Sequence, residues 1–359
     1  MCLQVLNSSI MISIVGHNKM IDYIKCSFKC NHKLVGNNFI VKISTKDLDS
    51  NIDSKYGFYT GLDVKGKYNS NIKVRTLGDK EDNRIEISGN ITKFLQGHNL
   101  FGITNLNKLV RMTVNKLIEN KNLELRPTVQ QLDDINKGMV HITRLDINRN
   151  FHLPSRVEAD RWIIEAKNLM TMSYYGQVKQ FDSTLYFGRQ SKTKELKFYC
   201  KGAEIEANSS LPKNLKTPLM LDYANKMLRF EIRLNARYLN EHDLSDVYNW
   251  KDSIVNDILD KSLKRVELRG NIPISDKKIT TLSPVLQSTY YLWMEGHDLK
   301  EHLSRGTYYR HKKELLKNDI DISIVLPKFD KATLDLADVL KHNVVGIPSW
   351  AYEEGLVAL

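Results

Sequence analysis

HITRLDINRNF, residues 141–151, is the stretch on which the fold turns. His141, Thr143, Leu145 and Ile147 alternate with Ile142, Arg144, Asp146 and Asn148, the period of two that a β-strand imposes on its faces. Asp146 therefore shares a face with Arg144. Further on, ELKFYCKGAE (195–204) sets Leu196, Phe198 and Cys200 against Lys197, Tyr199 and Lys201. MLRFEIRLN (227–235) sets Leu228, Phe230, Ile232 and Leu234 against Arg229, Glu231 and Arg233. Each stretch has one apolar face and shows an acid or a phenol between cations on the other, as expected of one antiparallel sheet covered on a single side. The polar face is the candidate site.

Outward from these strands, apolar alternation marks short strands at residues 39–44 and 84–88. Leu106, Leu109, Val110, Val114 and Leu117 fall at helical spacing, and a second helix is predicted over 157–170 on the stripe Val157, Trp162, Ile163, Ala166 and Met170. From Lys251 onward the pattern is mostly helical, and TLSPVL, from Thr281, offers a break before a compact terminal unit. The expected fold class is α+β: an antiparallel-sheet domain to about residue 250, then a mostly helical C-terminal domain over 251–359.

A chain of 359 residues has room for two domains with cores of their own. Its net charge of +11 favours a polyanionic partner, because cations gain by releasing counterions from phosphates. Residues 251–359 carry 16 Lys+Arg and 16 Asp+Glu, which leaves 37 cations against 26 acids in residues 1–250. Charge alone does not name the partner; if it is DNA, its backbone is expected to meet the first part. No run of about 18 apolar residues could span a bilayer. The opening MCLQVLNSSIMISIVG has no basic leader or small-residue cleavage site, so the cytoplasm is the expected compartment. Four cysteines, Cys2, Cys26, Cys30 and Cys200, make no disulfide framework, and Cys26, Cys30 and His32 lack a second ligand pair at zinc-finger spacing. They read as free thiols.

The three strands carry the ingredients of phosphodiester chemistry. A tyrosine nucleophile conserves the bond energy as a phosphotyrosine, but a free phenol titrates near 10 and needs help at neutral pH. Lys197 and Lys201 beside Tyr199 are expected to favour the phenolate and to neutralise the scissile phosphate. Asp146, Glu204 and Glu231 are the carboxylates on or beside the strands, hard oxygen donors suited to Mg2+ or Mn2+. Taken alone, an acid between arginines is more often an ion pair, and a tyrosine between lysines is expected by chance among 16 tyrosines. None of the ten histidines forms His-x-His, so a metal here falls to carboxylates.

At these residues the sequence resembles the filamentous-phage replication initiators, the gene II/X family of phage and plasmid replication proteins. The matching pieces are KFLQGHNLFGITNL (93–106), ITRLDI (142–147), LKFYCKGAEI (196–205) and LRFEIRLNARYL (228–239), spread over about residues 20–240. The resemblance implies that Tyr199 is the nicking tyrosine, with Lys201 and Glu204 completing Tyr-x-Lys-x-x-Glu. It implies that Asp146, Glu204 and Glu231 hold Mg2+ or Mn2+, that Arg144, Lys197, Arg229 and Arg233 meet DNA, and that His98 of QGHN meets the scissile phosphate or serves as a loop histidine. The family's chains start near a Met-Ile-Asp like that at 20–22, so residues 1–19 read as an extension and 20–250 as the nicking domain.

WMEGHDLKEHLSRGTYYRHKKELLKNDIDIS resembles the family's C-terminal unit. Leu299, Leu303, Tyr308, Leu315 and Leu316 would pack two helices across the SRG turn and present Tyr309, Arg310, Lys312 and Lys313 outward, in the manner of a helix-turn-helix reader or of an ordinary helical hairpin. The expected function is a rolling-circle initiator: a site-specific single-strand endonuclease that nicks origin DNA of a circular phage or plasmid replicon, forms a 5′-phosphotyrosine and rejoins the displaced strand. Its partners would be the origin, a host helicase and a DNA polymerase, with no membrane. A homodimer has its rationale in origins of this kind being loaded by more than one copy. The alternatives are a non-catalytic origin-binding or copy-control protein of the same descent, and a tyrosine recombinase, which leaves a 3′ phosphotyrosine.

Overall fold

The computed structural model describes residues 19–36, 38–44, 54–77, 83–172, 175–181, 183–208, 211–268, 282–294, 297–317, 320, 322–323 and 336–357. The expected extension, residues 1–19, lies outside them except for Lys19. The strands are β1 (Lys19–Lys29), β2 (Asn38–Ser44), β3 (Ser54–Thr60), β4 (Leu62–Lys65), β5 (Asn71–Leu77), β6 (Arg84–Asn90), β7 (His141–His152), β8 (Met170–Met172), β9 (Gly176–Gln177), β10 (Lys179–Phe181), β11 (Thr184–Phe187), β12 (Lys194–Cys200), β13 (Met227–Asn235) and β14 (Val266–Leu268). Nine form one sheet in the order β10-β11-β12-β13-β7-β1-β6-β5-β4, each neighbouring pair antiparallel. The three strands read from the sequence sit side by side in its middle. β2 pairs with β3, and β14, β8 and β9 form a small second sheet. The molecule is α+β.

The helices that frame the sheet are α1 (Ile91–Gln96), α2 (Leu106–Ile118), α3 (Val129–Asn136), α4 (Arg156–Leu169), α5 (Lys201–Asn208), α6 (Pro218–Asn225), α7 (Ala236–Glu241) and α8 (Asp252–Leu263). In α2 the residues at helical spacing, Leu106, Leu109, Val110, Val114 and Leu117, are all buried. Ser155 caps α4 by accepting from the Glu158 N–H. The apolar side of α4 then covers the sheet: the Trp162 ring lies 5.3 Å from that of Phe198, which stacks on Phe230 at 4.6 Å. The expected stripe is corrected at both ends. Val157 is 75% exposed, so the buried face begins at Ala159, and Met170 has already left the helix for β8.

Residues beyond 250 pack in more than one place. Val255, Ile258 and Leu259 of α8 join the sheet's core, and Arg149 reaches Asp260 at 2.5 Å. A helical unit follows, with helices Pro284–Met294, Leu299–His302 and Arg305–Leu316 around its own core of Leu282, Tyr290, Leu299, Tyr308, Leu315, Ile320 and Ile322. Ser304 of the SRG turn caps the last helix. Tyr309, Arg310 and Lys313 are exposed as expected and Lys312 is half-buried, but Leu316, expected in the core, is exposed. The chain then returns to the sheet. Leu336 and Val339 of helix Leu336–His342 enter the main core. Residues 343–357 run on as a strap: Val344 bridges Phe151, the Val345 N–H donates to Asn150 O at 3.3 Å, and Tyr223 Oη donates to Gly346 O at 2.9 Å. Among the described residues no helix is long and apolar enough to cross a membrane.

Candidate functional site

Register across the three central strands brings the polar residues into rows. Tyr199 faces Arg229, which faces Asn150. Lys197 faces Glu231, which faces Asn148, and Glu195 faces Arg233, which faces Asp146. These side chains project from the same side of the sheet because each strand alternates with the same period. On β1 the register shifts between Ile21 and Tyr23, a β-bulge that inserts Asp22. The Arg144 guanidinium lies 3.8 Å over the Tyr23 ring, so Tyr23 is on this face too.

Tyr199, only 6% exposed, donates its phenol hydrogen to Glu231 Oε2 at 2.8 Å. Lys197 Nζ holds the other carboxylate oxygen at 2.8 Å. Burial disfavours the Glu231 charge, but Lys197, the phenol hydrogen bond and Arg229 outweigh it and hold that carboxyl at about 2. The phenol moves the opposite way. Burial and then Glu231 push Tyr199 well above its ordinary range, with Arg229 opposing. This corrects the expectation that flanking lysines favour the phenolate: Lys197 is committed to Glu231, and Lys201 to Glu204 at 2.6 Å. Nor does Lys201 extend the strand, for the chain turns into α5 at that residue. Burial pushes the Lys201 ammonium below its ordinary value, Arg229 adding to the effect.

Gly202 allows that abrupt turn, since a Cβ there would stand 2.1 Å from Asn225 Oδ1 and 2.8 Å from its Cα. Gly97 of QGHN ends α1 with φ of +93°, a conformation that favours glycine.

Arg229, assigned to DNA from the sequence, is wholly buried and works instead as an internal clamp. Its Nε donates to Asn150 Oδ1 at 2.8 Å, and its Nη2 donates to Asn99 O at 2.6 Å and Leu100 O at 3.2 Å. His98, expected near the scissile phosphate, is corrected as well. Its Nε2 lies 2.9 Å from Leu356 O of the strap and its Nδ1 3.4 Å from Gln96 Nε2, while burial pushes the ring down to about 4. The member of QGHN that faces the polar row is Asn99, whose amide donates to Asp22 at 3.1 and 3.0 Å.

The expected metal trio is not assembled. Asp146 is forked by Arg144 at 2.9 and 2.5 Å, with Arg233 3.6 Å away, and Glu204 is paired with Lys201 on α5. Among the described residues no three His, Cys, Asp or Glu side chains come together as a group that could hold a metal ion. Asp146, Glu204 and Glu231 therefore do not fit Mg2+ or Mn2+ as a set. Arg144, Lys197 and Arg233 remain partly exposed, with side-chain exposures of 26%, 21% and 29%, so they can reach a phosphate. Arg310, Lys312 and Lys313 lie apart, on the helical unit. Sequence reading missed Asp22, Asn99, Asn148 and Asn150. The asparagines of β7 were legible, since they continue the Arg144–Asp146 alternation.

The chain is 26% identical over 337 residues to the replication-associated protein of Enterobacteria phage I2-2, the gene II product, covering 92% of this chain and 96% of that protein. It is 29% identical over 181 residues to the proteins of the same name from Enterobacteria phages fd and M13, covering 45% of this chain and 42% of each of those. A solved rolling circle replication initiator protein from Geobacillus stearothermophilus aligns over 71% of this chain and 87% of its own, with 16% identity and a TM-score of 0.34. Residues 274–357 match the C-terminal family of the phage gene II replication-associated proteins. Residues 20–253, which hold every side chain of the polar face, match the N-terminal family, and the chain belongs to the gene II replication-associated protein family.

Proposed function

We propose that this protein is a rolling-circle replication initiator that nicks one strand of origin DNA with Tyr199 and later rejoins the displaced strand. The observation that carries the reading is the Tyr199 phenol held 2.8 Å from Glu231 in the row shared with Lys197. Membership of a replication-associated family supports origin DNA of a circular replicon as the substrate.

In the nicking step Tyr199 Oη bonds to the scissile phosphorus and its proton passes to Glu231. The bond from phosphorus to the 3′ oxygen breaks, leaving the 5′ phosphate on Tyr199. The departing 3′ oxygen takes a proton, for which Lys201 is the suited donor because burial destabilises its ammonium. At rest the first transfer is uphill, since Glu231 sits near 2 and the phenol is pushed up. An incoming phosphodiester competes for Lys197, and a Glu231 that loses Lys197 becomes a stronger base. Arg144 and Arg233 flank the approach. Attack by a new 3′ hydroxyl on the phosphotyrosine runs the same step backwards and closes a circle. A host helicase and DNA polymerase extend the freed end, and two copies load at the origin. No step is routed through a metal.

The test is Tyr199→Phe on supercoiled origin DNA. Nicking and covalent attachment should vanish while origin binding persists. Undiminished nicking by this variant would move the nucleophile to Tyr186 or Tyr238, and no nicking by the wild-type protein would favour an origin-binding protein without catalysis.

A further inference from the structure

Tyr23 follows the β1 bulge, half-buried on the polar face and in register with Asp146. The Arg144 guanidinium lies 3.8 Å from the centre of its ring, close enough for one face of the cation to rest on one face of the phenol. Asp146 fixes it there, because Arg144 Nε and Nη2 donate to its two carboxylate oxygens at 2.9 and 2.5 Å. That carboxylate is itself buried, with Arg233 3.6 Å away. One face and one edge of the guanidinium are thereby used, and its second face and Nη1 are left on a side chain that stays 26% exposed. A planar cation held against an aromatic ring is a preformed surface for stacking.

The surroundings are the second observation. Lys25, two residues along β1 and in register with Arg144, has a side chain 38% exposed, and that of Arg233 is 29% exposed. Each is paired with an acid, Lys25 with Glu86 and Arg233 with Glu195, and both keep enough exposure to meet a phosphate as well. A ring, a planar cation and two further cations suit a ligand that is flat, apolar on its faces and carried on phosphates. Bases in a duplex are stacked on one another and offer no free face, so that ligand is an unpaired nucleotide.

We infer that Tyr23 and Arg144 form a stacking platform for one unpaired base of single-stranded DNA, with Asp146 as the residue that positions Arg144. Tyr23 stands three strands from Tyr199 and four residues further along the sheet, about 20 Å by strand geometry, so the base it takes lies several nucleotides from the bond to be cut. That the strand is the one Tyr199 cuts rests on the nicking reading; the stacking itself does not.

The probe is an oligothymidylate carrying one 2-aminopurine, whose fluorescence is quenched on stacking, titrated with the full-length protein at several salt concentrations. Protein should quench the single strand to saturation and add no quenching once a complementary strand is annealed. Tyr23→Leu should abolish the quenching and weaken binding about tenfold, with the slope of log affinity against log salt unchanged because no phosphate contact is lost. Arg144→Lys, which keeps the charge but not the plane, should lose the quenching too, and Asp146→Asn should reduce it. Tyr23→Phe should keep it. Wild-type quenching in Tyr23→Leu or in Arg144→Lys overturns the platform, and in the second case makes Arg144 a simple phosphate contact. Loss that follows Tyr186→Leu instead overturns it in favour of the Tyr186–Arg189 pair on the opposite flank of the sheet. Should Tyr23→Leu fail to fold, retention in Tyr23→Phe with loss in Arg144→Lys still decides. Wild-type nicking without quenching overturns the platform and leaves the nicking reading standing. Quenching that follows Tyr23 in a protein that never nicks supports the platform and removes that reading.

Discussion

Replacing Arg229 with Met separates a clamp from a DNA contact. The buried guanidinium donates to Asn150, Asn99 and Leu100 at 2.8, 2.6 and 3.2 Å. Hydrogen bonds from a charged group contribute about 1.5–3 kcal/mol each, and removing one partner of a buried network costs about 3–5 kcal/mol because the others are left unpaired. A loss of about 4 kcal/mol is expected. At about 2–4 °C per kcal/mol for a domain of this size, Tm should fall by roughly 10 °C in a thermal melt at neutral pH. Arg229→Lys keeps the charge but not the fork and should recover only part of this. DNA binding supplies the second readout. If the folded variant has lost no phosphate contact, its slope of log affinity against log salt should match the wild type, whereas a lost contact lowers the slope by about 0.9. A Tm within about 2 °C of wild type together with a reduced slope would refute the clamp and return Arg229 to the DNA surface.

His98 should make stability depend on acid. Its folded pKa, about 4, lies below the ordinary value near 6.5, so the unfolded chain binds the extra proton; stability is full above about 6.5 and is lost as pH falls toward 4. His98→Gln should flatten a urea-melt series over that window, and an unchanged slope would contradict the buried neutral ring. Ending the chain before residue 336 should leave no folded sheet domain, because Leu336, Val339, Val345 and Ile347 are buried in it and each large apolar side chain contributes about 1.5–3 kcal/mol. A cooperative, wild-type-like melt of that truncation would show the segment to be dispensable. Arg310→Ala should narrow the affinity gap between origin and random DNA in competition at fixed salt, each good base contact being worth about 1–3 kcal/mol. An unchanged gap would assign origin choice to the sheet domain.

What the sequence disclosed follows from how locally each feature is encoded. The alternation in β7, β12 and β13 survives into the structure because one face of each strand is covered, so Tyr199, Glu231 and Arg229 could be placed on a common side from their spacing alone. Asp22 was hidden because the bulge breaks that alternation at the one position that matters. In QGHN, histidine drew attention by its chemistry, yet the neighbouring Asn99 turns toward Asp22 while His98 turns toward Leu356. Composition could not say that Lys197 and Lys201 would be committed to acids rather than to the phenol. Residues 343–357 carry apolar residues without a helical or strand period, and their partners Phe101, Phe151 and Tyr223 are remote in sequence.

The strap has a consequence for the order in which the fold is completed during synthesis. Translation delivers β1 through β13 first, and they contain Tyr199, Lys197, Glu231, Arg144 and Arg233. The apolar trough formed by Leu100, Phe101, Ile205, Met220 and Tyr223 is covered by Val345, Ile347 and Ala351 of the strap. His98, one residue before Asn99 and its hold on Arg229, waits for the carbonyl of Leu356. A nascent chain can thus present a basic surface while Tyr199 still lies in an unfinished fold. The packing around Asn99 and Arg229 is therefore completed only after residues 343–357 have been made.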